Sequence, residues 1–374
     1  MTGRTFAIFG GILASAVVLA CAWDRDTLQY EAEGLPGAME AIVGAIDRNP
    51  DLYYEMRLDR VEKLLEENDS HLDLYDDAAI ACDKLGRGEE ALAWLDKKWV
   101  LMESMDLPGD SDATYKYWAN LGTVRVHHWI RGGAKLEDVE QLDLAISEIE
   151  KALEINPEAH FGREEAQLTI MKMMRLDLES DEAKKREAAE LWLEYGGSKE
   201  PQEVVDAIIG MMVMGGGWES PDLIQLMVSQ DGFWDKRPIV FSANKRVEEL
   251  AEAGKLPLLS EQLLKMVSVE EMIEDERVRY LTKEYDGWRD FGREYSNYRA
   301  DFMMAQLSAG KHPDTDGDAF WEGYDPPIAP QEEPPKDLKD IPGYLPLTIA
   351  LAGLVVLVVV IIWQKRSTPW RAVD

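Results

Sequence analysis

Three aspartates near the end of the charged, helix-rich part of the chain have a spacing that could bind calcium. Asp314, Asp316 and Asp318 alternate along the chain as the oxygen ligands of a calcium loop do, and Asp325 falls at the twelfth place of such a loop. Ala319, however, replaces the glycine that makes the sharp turn, and the Pro-Pro pair after Asp325 excludes an exit helix. The sequence therefore favours an acidic, turn-rich junction over a calcium site.

Other side chains with chemical potential lack the spacing that catalysis or metal binding needs. His127 and His128 are adjacent, so on a helix they point in different directions and cannot share a metal as an i, i+4 pair does. The sequence contains no nucleophile elbow, HExxH, P-loop, dinucleotide fingerprint or paired CxxC motif. We therefore predict a protein that is not an enzyme and carries no cofactor.

Composition and charge narrow the classes of partner. Hydrophobic residues make up 46% of the 374 residues and charged residues 30%, which excludes both a polytopic membrane protein and a wholly disordered chain. Acidic residues number 72 against 40 basic residues, and the net charge of -32 repels nucleic-acid phosphates. A protein or peptide partner with a basic or apolar surface is expected instead.

The first 22 residues have the pattern of a signal peptide. Arg4 precedes a stretch of apolar or small residues, and Ala20-Cys21-Ala22 is typical of a cleavage site. The run ending at Cys21 also resembles a bacterial lipobox, in which the cysteine becomes the lipidated N-terminus. An uncleaved anchor fits less well, because a spanning helix needs about 20 apolar residues. The pattern predicts export and leaves ordinary cleavage and lipidation of Cys21 open.

The C-terminal end has the pattern of a membrane anchor. Residues 326–343 are rich in proline and charge, which favours an extended stalk. The segment 344–364 contains a long uncharged apolar run, which predicts a transmembrane helix. Lys365 and Arg366 begin the tail 365–374 and place it in the cytoplasm. We therefore expect a single-pass protein of the cell membrane, attached through this helix, with an exoplasmic or periplasmic ectodomain.

The ectodomain has helical periodicity nearly throughout and no convincing strand pattern, so we predict an all-α fold. Glycine, proline and asparagine pairs such as Asn49-Pro50, Gly132-Gly133 and Asn156-Pro157 mark the breaks between helices. The pattern divides the ectodomain into a repeat-like region, 23–195, and an additional helical region, 196–325.

Two helix pairs share an order of aromatic, small and apolar residues. The first contains Tyr75, Ala79, Gly86 and Ala91, and the second contains the run from Trp118 to Gly122 followed by Ala145, Ala152 and Pro157. These residues resemble the tetratricopeptide repeat (TPR), a helical hairpin of about 34 residues. The resemblance covers residues 35–195 and implies a helical-hairpin solenoid that continues into further helices, with small residues where paired helices approach closely.

The resemblance also implies a binding groove, because the first helix of each repeat lines the concave face in this family. The residues at the matching positions are Asp73, Asp76, Ile80, Asp83, Lys84, Lys116, Ala119, Asn120, Thr123, Val126 and His127. Asn120 stands at a position where some members grip a peptide carboxylate, but Asp76 and Ile80 replace the other gripping residues. The resemblance thus implies an acidic groove suited to a basic or apolar peptide.

Taken together, these features predict a membrane-anchored, non-enzymatic scaffold for protein–protein interaction, with its ectodomain in the periplasm of a bacterium. The alternative is an accessory subunit or carrier of a cell-envelope enzyme or assembly complex. In that alternative, the helices beyond Glu200 would form a permanent interface with the rest of the complex.

Overall fold

A computed structural model describes residues 22–27, 34–157, 162–229, 237–267 and 275–330. Within these ranges every regular element is a helix, which confirms the predicted all-α class. The α-helices are α1 (Ala38–Val43), α2 (Asp51–Glu67), α3 (Leu72–Lys84), α4 (Gly88–Ser104), α5 (Asp112–Arg131), α6 (Val139–Ile155), α7 (Arg163–Asp177), α8 (Glu182–Gly197), α9 (Pro201–Gly215), α10 (Pro221–Val228), α11 (Arg237–Glu252), α12 (Glu261–Val267), α13 (Asp275–Ser308) and α14 (Pro313–Asp316). Short 3-10 helices cover Leu136–Asp138, Gly217–Glu219 and Gly317–Phe320.

The chain divides into two compact units. The first contains the described residues from 22 to 267 and from 281 to 329, and the second contains residues 275–280 and 330 among those described. Residues 1–21 of the predicted signal peptide 1–22, the part of the predicted stalk beyond residue 330, the predicted transmembrane helix 344–364 and the tail 365–374 lie outside the described residues. In the described part of the chain, no helix combines the length and apolar character that crossing a membrane requires.

Several helices begin and end at the residue types that the sequence marks as breaks. The Ser111 hydroxyl accepts a hydrogen bond from the Thr114 backbone N–H at 3.2 Å and caps the start of α5. Pro201 and Pro221 occupy the first positions of α9 and α10, where the N–H that proline lacks has no helical partner. Gly216 ends α9 with φ of 83°, a left-handed conformation that glycine adopts without steric cost.

The helices from α3 to α8 pack as three consecutive pairs. The pairs are α3 with α4, α5 with α6 and α7 with α8, and the first helices α3 and α5 also contact each other. A Cβ atom at Gly122 of α5 would lie 2.8 Å from the Ile149 side chain and 3.0 Å from the Ala145 carbonyl oxygen, both on α6. The expected close approach within the second pair is therefore confirmed, and the pairing is compatible with a TPR-like arrangement.

Two large hydrophobic clusters occupy the described part of the first unit, beside a small one around Tyr115, Ala119 and Ala152. One lies among α2, α3, α4, α5 and the C-terminal part of α13, and it includes Tyr53, Ala78, Leu95 and Leu307. The other, which we call the methionine core, is buried among α1, α5 and the helices from α6 to α12. Its members include Ile149, Met171, Met173, Met174, Trp192, Ile208, Met211, Met212 and Leu226.

The C-terminal part of α13 packs against the beginning of the helical array. Arg289 donates a hydrogen bond to the Val43 carbonyl at 2.8 Å, and the Ser296 hydroxyl donates to the Gly44 carbonyl at 2.7 Å. Gly292 lies so close that a Cβ atom there would be 2.3 Å from the Val43 carbonyl oxygen. The additional helical region therefore contacts the C-terminal end of α1.

Candidate functional site

The residues predicted to line a groove lie on the two first helices α3 and α5, but the chain itself covers most of them. Asp76, Ile80, Asp83, Ala119, Asn120, Thr123, Val126 and His127 are buried, and Lys84 and Lys116 are partly buried. Only Asp73 points largely into solvent, with 85% of its side chain exposed. Where an open groove was expected, the structure has a buried polar seam formed by Asp76 and Asp83 of α3, Asn120 and His127 of α5, and Lys98 of α4.

The first half of the polar seam is built around Asp76. Its carboxylate lies 2.5 Å from the Lys98 ammonium group and accepts a hydrogen bond from the Asn120 amide at 2.8 Å. Burial raises the pKa of Asp76, although Lys98 and Asn120 act in the opposite direction. Because both oxygens already have partners, Asp76 positions Asn120 and is not presented to a basic ligand.

The second half of the polar seam is built around Asp83. One carboxylate oxygen lies 2.6 Å from His127 Nδ1 and the other lies 2.6 Å from an Arg131 nitrogen. Burial alone would raise the pKa of Asp83, but the neighbouring His127 and Arg131 outweigh it and hold this pKa well below its usual range. His127 thus belongs to an internal polar network around Asp83.

The remaining predicted positions contact other helices of the chain. The Gln167 amide of α7 donates to the Thr123 hydroxyl at 3.1 Å. The Lys84 ammonium group donates to the Met214 carbonyl of α9, and burial lowers the pKa of Lys84. Lys116 lies 2.9 Å from Asp112 and 3.5 Å from Asp73. Asp73 and Lys116 are therefore the predicted residues placed best to meet a partner.

The segment Ala22–Thr27 lies across this face and was not anticipated from the sequence. The Trp23 backbone N–H donates to the Asn120 side-chain oxygen at 2.6 Å, and the Asn120 amide donates to the Trp23 carbonyl at 3.0 Å. The Trp23 indole N–H donates to the Tyr115 hydroxyl at 2.8 Å, and Arg25 lies 2.6 Å from Asp77. The chain thus binds six of its own residues where a peptide ligand was expected.

A buried arginine connects this segment to the C-terminal end of the first unit. The Arg57 guanidinium group is fully buried and lies 3.3 Å from Asp24, 2.7 Å from Asp26 and 2.9 Å from Asp314. Burial would raise the pKa of Asp314, but hydrogen bonds and charge from Arg57 lower it below its usual value. We call these four residues the Arg57 cluster.

The calcium candidate is not a metal site in this structure. Asp314 faces Arg57 and Arg60, whose positive charges occupy the place of a cation. Asp316 accepts a hydrogen bond from the His312 backbone N–H at 2.9 Å, and Asp318 is exposed to solvent. Across the described residues, no group of three or more histidine, cysteine or acidic side chains is arranged to hold a metal ion. Asp314 is therefore held by cations of α2, and the aspartate spacing noted in the sequence does not form a group of metal ligands here.

The residues of the bound segment Ala22–Thr27 are distinctive in the sequence, but their neighbours in the chain do not indicate what they contact. An aromatic ring and alternating charges follow the apolar N-terminal stretch of the sequence, at Trp23, Asp24, Arg25 and Asp26. Their partners Asp77, Tyr115 and Asn120 are 52 to 97 positions away along the chain.

The chain matches no protein-family model, and no curated protein or solved structure matches it.

Proposed function

We propose that this protein is a membrane-anchored, non-enzymatic scaffold whose paired helices bind a protein partner with a basic or apolar surface. The signal-peptide pattern at 1–22 and the apolar segment 344–364 support the membrane attachment. The net charge of -32 favours a basic partner and disfavours nucleic acid. The observation that carries the proposal is the way in which α3 and α5 hold the segment Ala22–Thr27.

The segment Ala22–Thr27 is bound through hydrogen bonds of a kind that proteins use to bind peptides. Asn120 contacts both the N–H and the C=O of Trp23, so the interaction recognises polypeptide backbone. Asp76 accepts the second hydrogen bond of the Asn120 amide, and Lys98 holds Asp76 in place. A recognising side chain whose own partners are fixed loses little entropy on binding, which favours affinity.

The accessory-subunit alternative assigns the partner to a different surface. It requires apolar area beyond Glu200, yet most residues of α9 and α10 are already buried by the chain's own helices. Leu256, which is 64% exposed, is the large apolar residue that remains accessible between α11 and α12. The two functions therefore differ in the region that contacts the partner.

Site-directed photocrosslinking in native membranes tests the proposal. A photoreactive amino acid is placed at Asp73 on α3, at Leu256, or at Val100 on the second helix α4, each in the full-length chain. Val100 is 65% exposed and serves as the control on a second helix. The scaffold function predicts a specific crosslinked product from position 73 and none from position 100.

Two outcomes contradict this function. Crosslinking from position 256 alone would favour the accessory-subunit alternative. If neither position 73 nor position 256 gives a specific crosslinked product, the proposal of a protein partner loses its basis. Competition by added salt provides a second readout, because screening weakens attraction between an acidic surface and a basic partner.

A further inference from the structure

The segment Ala22–Thr27 is attached mainly by polar contacts to side chains far away in the sequence. Asp77, Tyr115 and Asn120 belong to α3 and α5, which pack against each other directly. Trp23 is only partly buried, and its ring meets the Tyr115 ring edge to face at a centroid distance of 5.6 Å. The receiving face is therefore built by helices that contact one another independently of the segment.

The side chains that contact the segment are also held in position by residues outside it. The Tyr115 hydroxyl donates to the Glu164 carboxylate of α7 while it accepts the Trp23 indole N–H. Asn120 is held by Asp76, and Arg57 is oriented by Asp314, which is not part of the segment. A face whose donors and acceptors are already fixed can accept another peptide with matching groups.

The order of contacts defines the chemistry of a matching peptide. An aromatic residue with an N–H meets Tyr115 and Asn120, acidic residues meet Arg57, and a basic residue meets Asp77. Arg25 keeps 34% of its side chain exposed, so the basic contact lies at the rim of the site. The recognised pattern is aromatic, acidic, basic and acidic, in that order along the peptide.

We propose that the face of α3 and α5 binds, in trans, a partner segment with this pattern, and that Ala22–Thr27 is its intramolecular competitor. This inference rests on the proposed scaffold function, in which the partner presents this short aromatic and acidic segment from an otherwise basic or apolar surface, and it specifies how access to the site is regulated. A tethered segment competes at an effective concentration of about millimolar, so a free partner binds only when its affinity or local concentration exceeds that of the tethered copy.

The test measures binding of a fluorescent peptide that copies residues 22–27 to the full-length protein. Trp23→Ala in the protein removes the aromatic contact of the competitor and should tighten probe binding about tenfold or more relative to the unmodified chain. Arg25→Ala, at a partly exposed residue, provides a second release variant that changes little of the interior. Trp94→Ala is the matched control, because Trp94 packs against Tyr75 and does not contact the segment.

Adding Asn120→Ala to Trp23→Ala should abolish probe binding, and a probe with alanine in place of tryptophan should bind neither chain. Circular dichroism and thermal unfolding establish that each variant remains folded. Folded release variants that bind the probe no better than the unmodified chain would overturn the inference. Concentration-dependent dimers of the unmodified chain that Asn120→Ala dissolves would also overturn it, since the occupant would then be a second copy.

The peptide-binding experiment tests the competitor role, and the crosslinking experiment tests the scaffold function, so either one can be contradicted without the other. A crosslinked partner from position 73 without probe binding would leave the scaffold function standing and remove only the competitor role of Ala22–Thr27. Probe binding without any crosslinked partner would show that the site accepts a peptide and would remove the proposed scaffold function in the native membrane.

Discussion

The polar seam and the methionine core bury similar helix faces with opposite chemistry. The polar seam buries the Asp76 carboxylate against Lys98 and the Asp83 carboxylate against His127 and Arg131. The methionine core buries Met211, Met212 and Leu226 among other apolar side chains. A buried charge depends on one partner, whereas an apolar side chain is stabilised by many weak contacts. The two regions should therefore respond differently when one residue is changed.

The largest effect is expected from breaking the Asp76–Lys98 pair from one side. Lys98→Met keeps an apolar chain of similar length but leaves the Asp76 charge buried without its cation. We expect the free energy of unfolding to fall by about 3–5 kcal/mol, because an uncompensated buried charge is costly. Urea denaturation near neutral pH, followed by circular dichroism, measures the change.

The matching control removes both charges. In Lys98→Met with Asp76→Leu, the Asn120 amide still donates to the Trp23 carbonyl, so no buried charge is left unpaired. The double variant should recover most of the lost stability. A single variant that loses less than about 1 kcal/mol would show that Asp76 does not depend on Lys98.

A somewhat smaller effect is expected in the methionine core. Met211 is fully buried on α9, so Met211→Ala should lower the free energy of unfolding by about 3 kcal/mol through the cavity that it leaves. Met211→Leu keeps the volume and should cost less than about 1.5 kcal/mol. The same denaturation experiment applies. Equal losses from both substitutions would argue against tight packing at this position.

The smallest effect concerns pH and the segment Ala22–Thr27. Burial raises the pKa of Asp24 to about 7, the Asp26 charge adds to this, and Arg57 opposes it. The folded chain therefore holds the Asp24 proton more tightly than an unfolded chain, in which the pKa is about 4. Stability from this group is present below about pH 4 and is lost as pH rises through about 7.

Asp24→Asn removes this loss while keeping an oxygen to accept the Thr27 backbone N–H. The Tm of the variant minus that of the unmodified chain should increase by about 2 °C or more between about pH 5 and pH 8. Asp314→Asn is the matched control, because Asp314 contacts the same Arg57 but has a lowered pKa. Asp314→Asn should lower the Tm at both pH values, without a comparable increase in its Tm difference from the unmodified chain. If the Tm of Asp24→Asn and that of the unmodified chain change with pH in parallel, the raised pKa of Asp24 is contradicted.

The helical class and several helix ends could be predicted from the sequence, because the signals are local. The breaks predicted at Asn49-Pro50, Gly132-Gly133 and Asn156-Pro157 correspond to the start of α2 and to the ends of α5 and α6. The covered state of Asp76 and Asn120 could not be predicted in the same way. It depends on Trp23, which is 97 positions from Asn120 and carries no periodic signal that links the two.

One sequence pattern on α3 is consistent with the buried state of its predicted groove residues. Asp76, Ile80 and Asp83 lie on one stripe of a helix, and Ile80 is an apolar residue between two acids. A stripe that mixes acids with a large apolar residue is consistent with buried ion pairs as well as with a solvated groove. Only the position of Lys98, His127 and Arg131 across the helices decides between these interpretations.

The contact between Arg57 and Asp314 also has a consequence for the time course of folding. These residues are 257 positions apart, and contacts between distant residues close large loops and slow folding. During synthesis, N-terminal parts of a chain generally fold first, so the pairs from α3 to α8 can form before Asp314 leaves the ribosome. Until then Arg57 has only Asp24 and Asp26 as carboxylate partners within its cluster. Completion of the Arg57 cluster is therefore a late event in the maturation of each newly made chain.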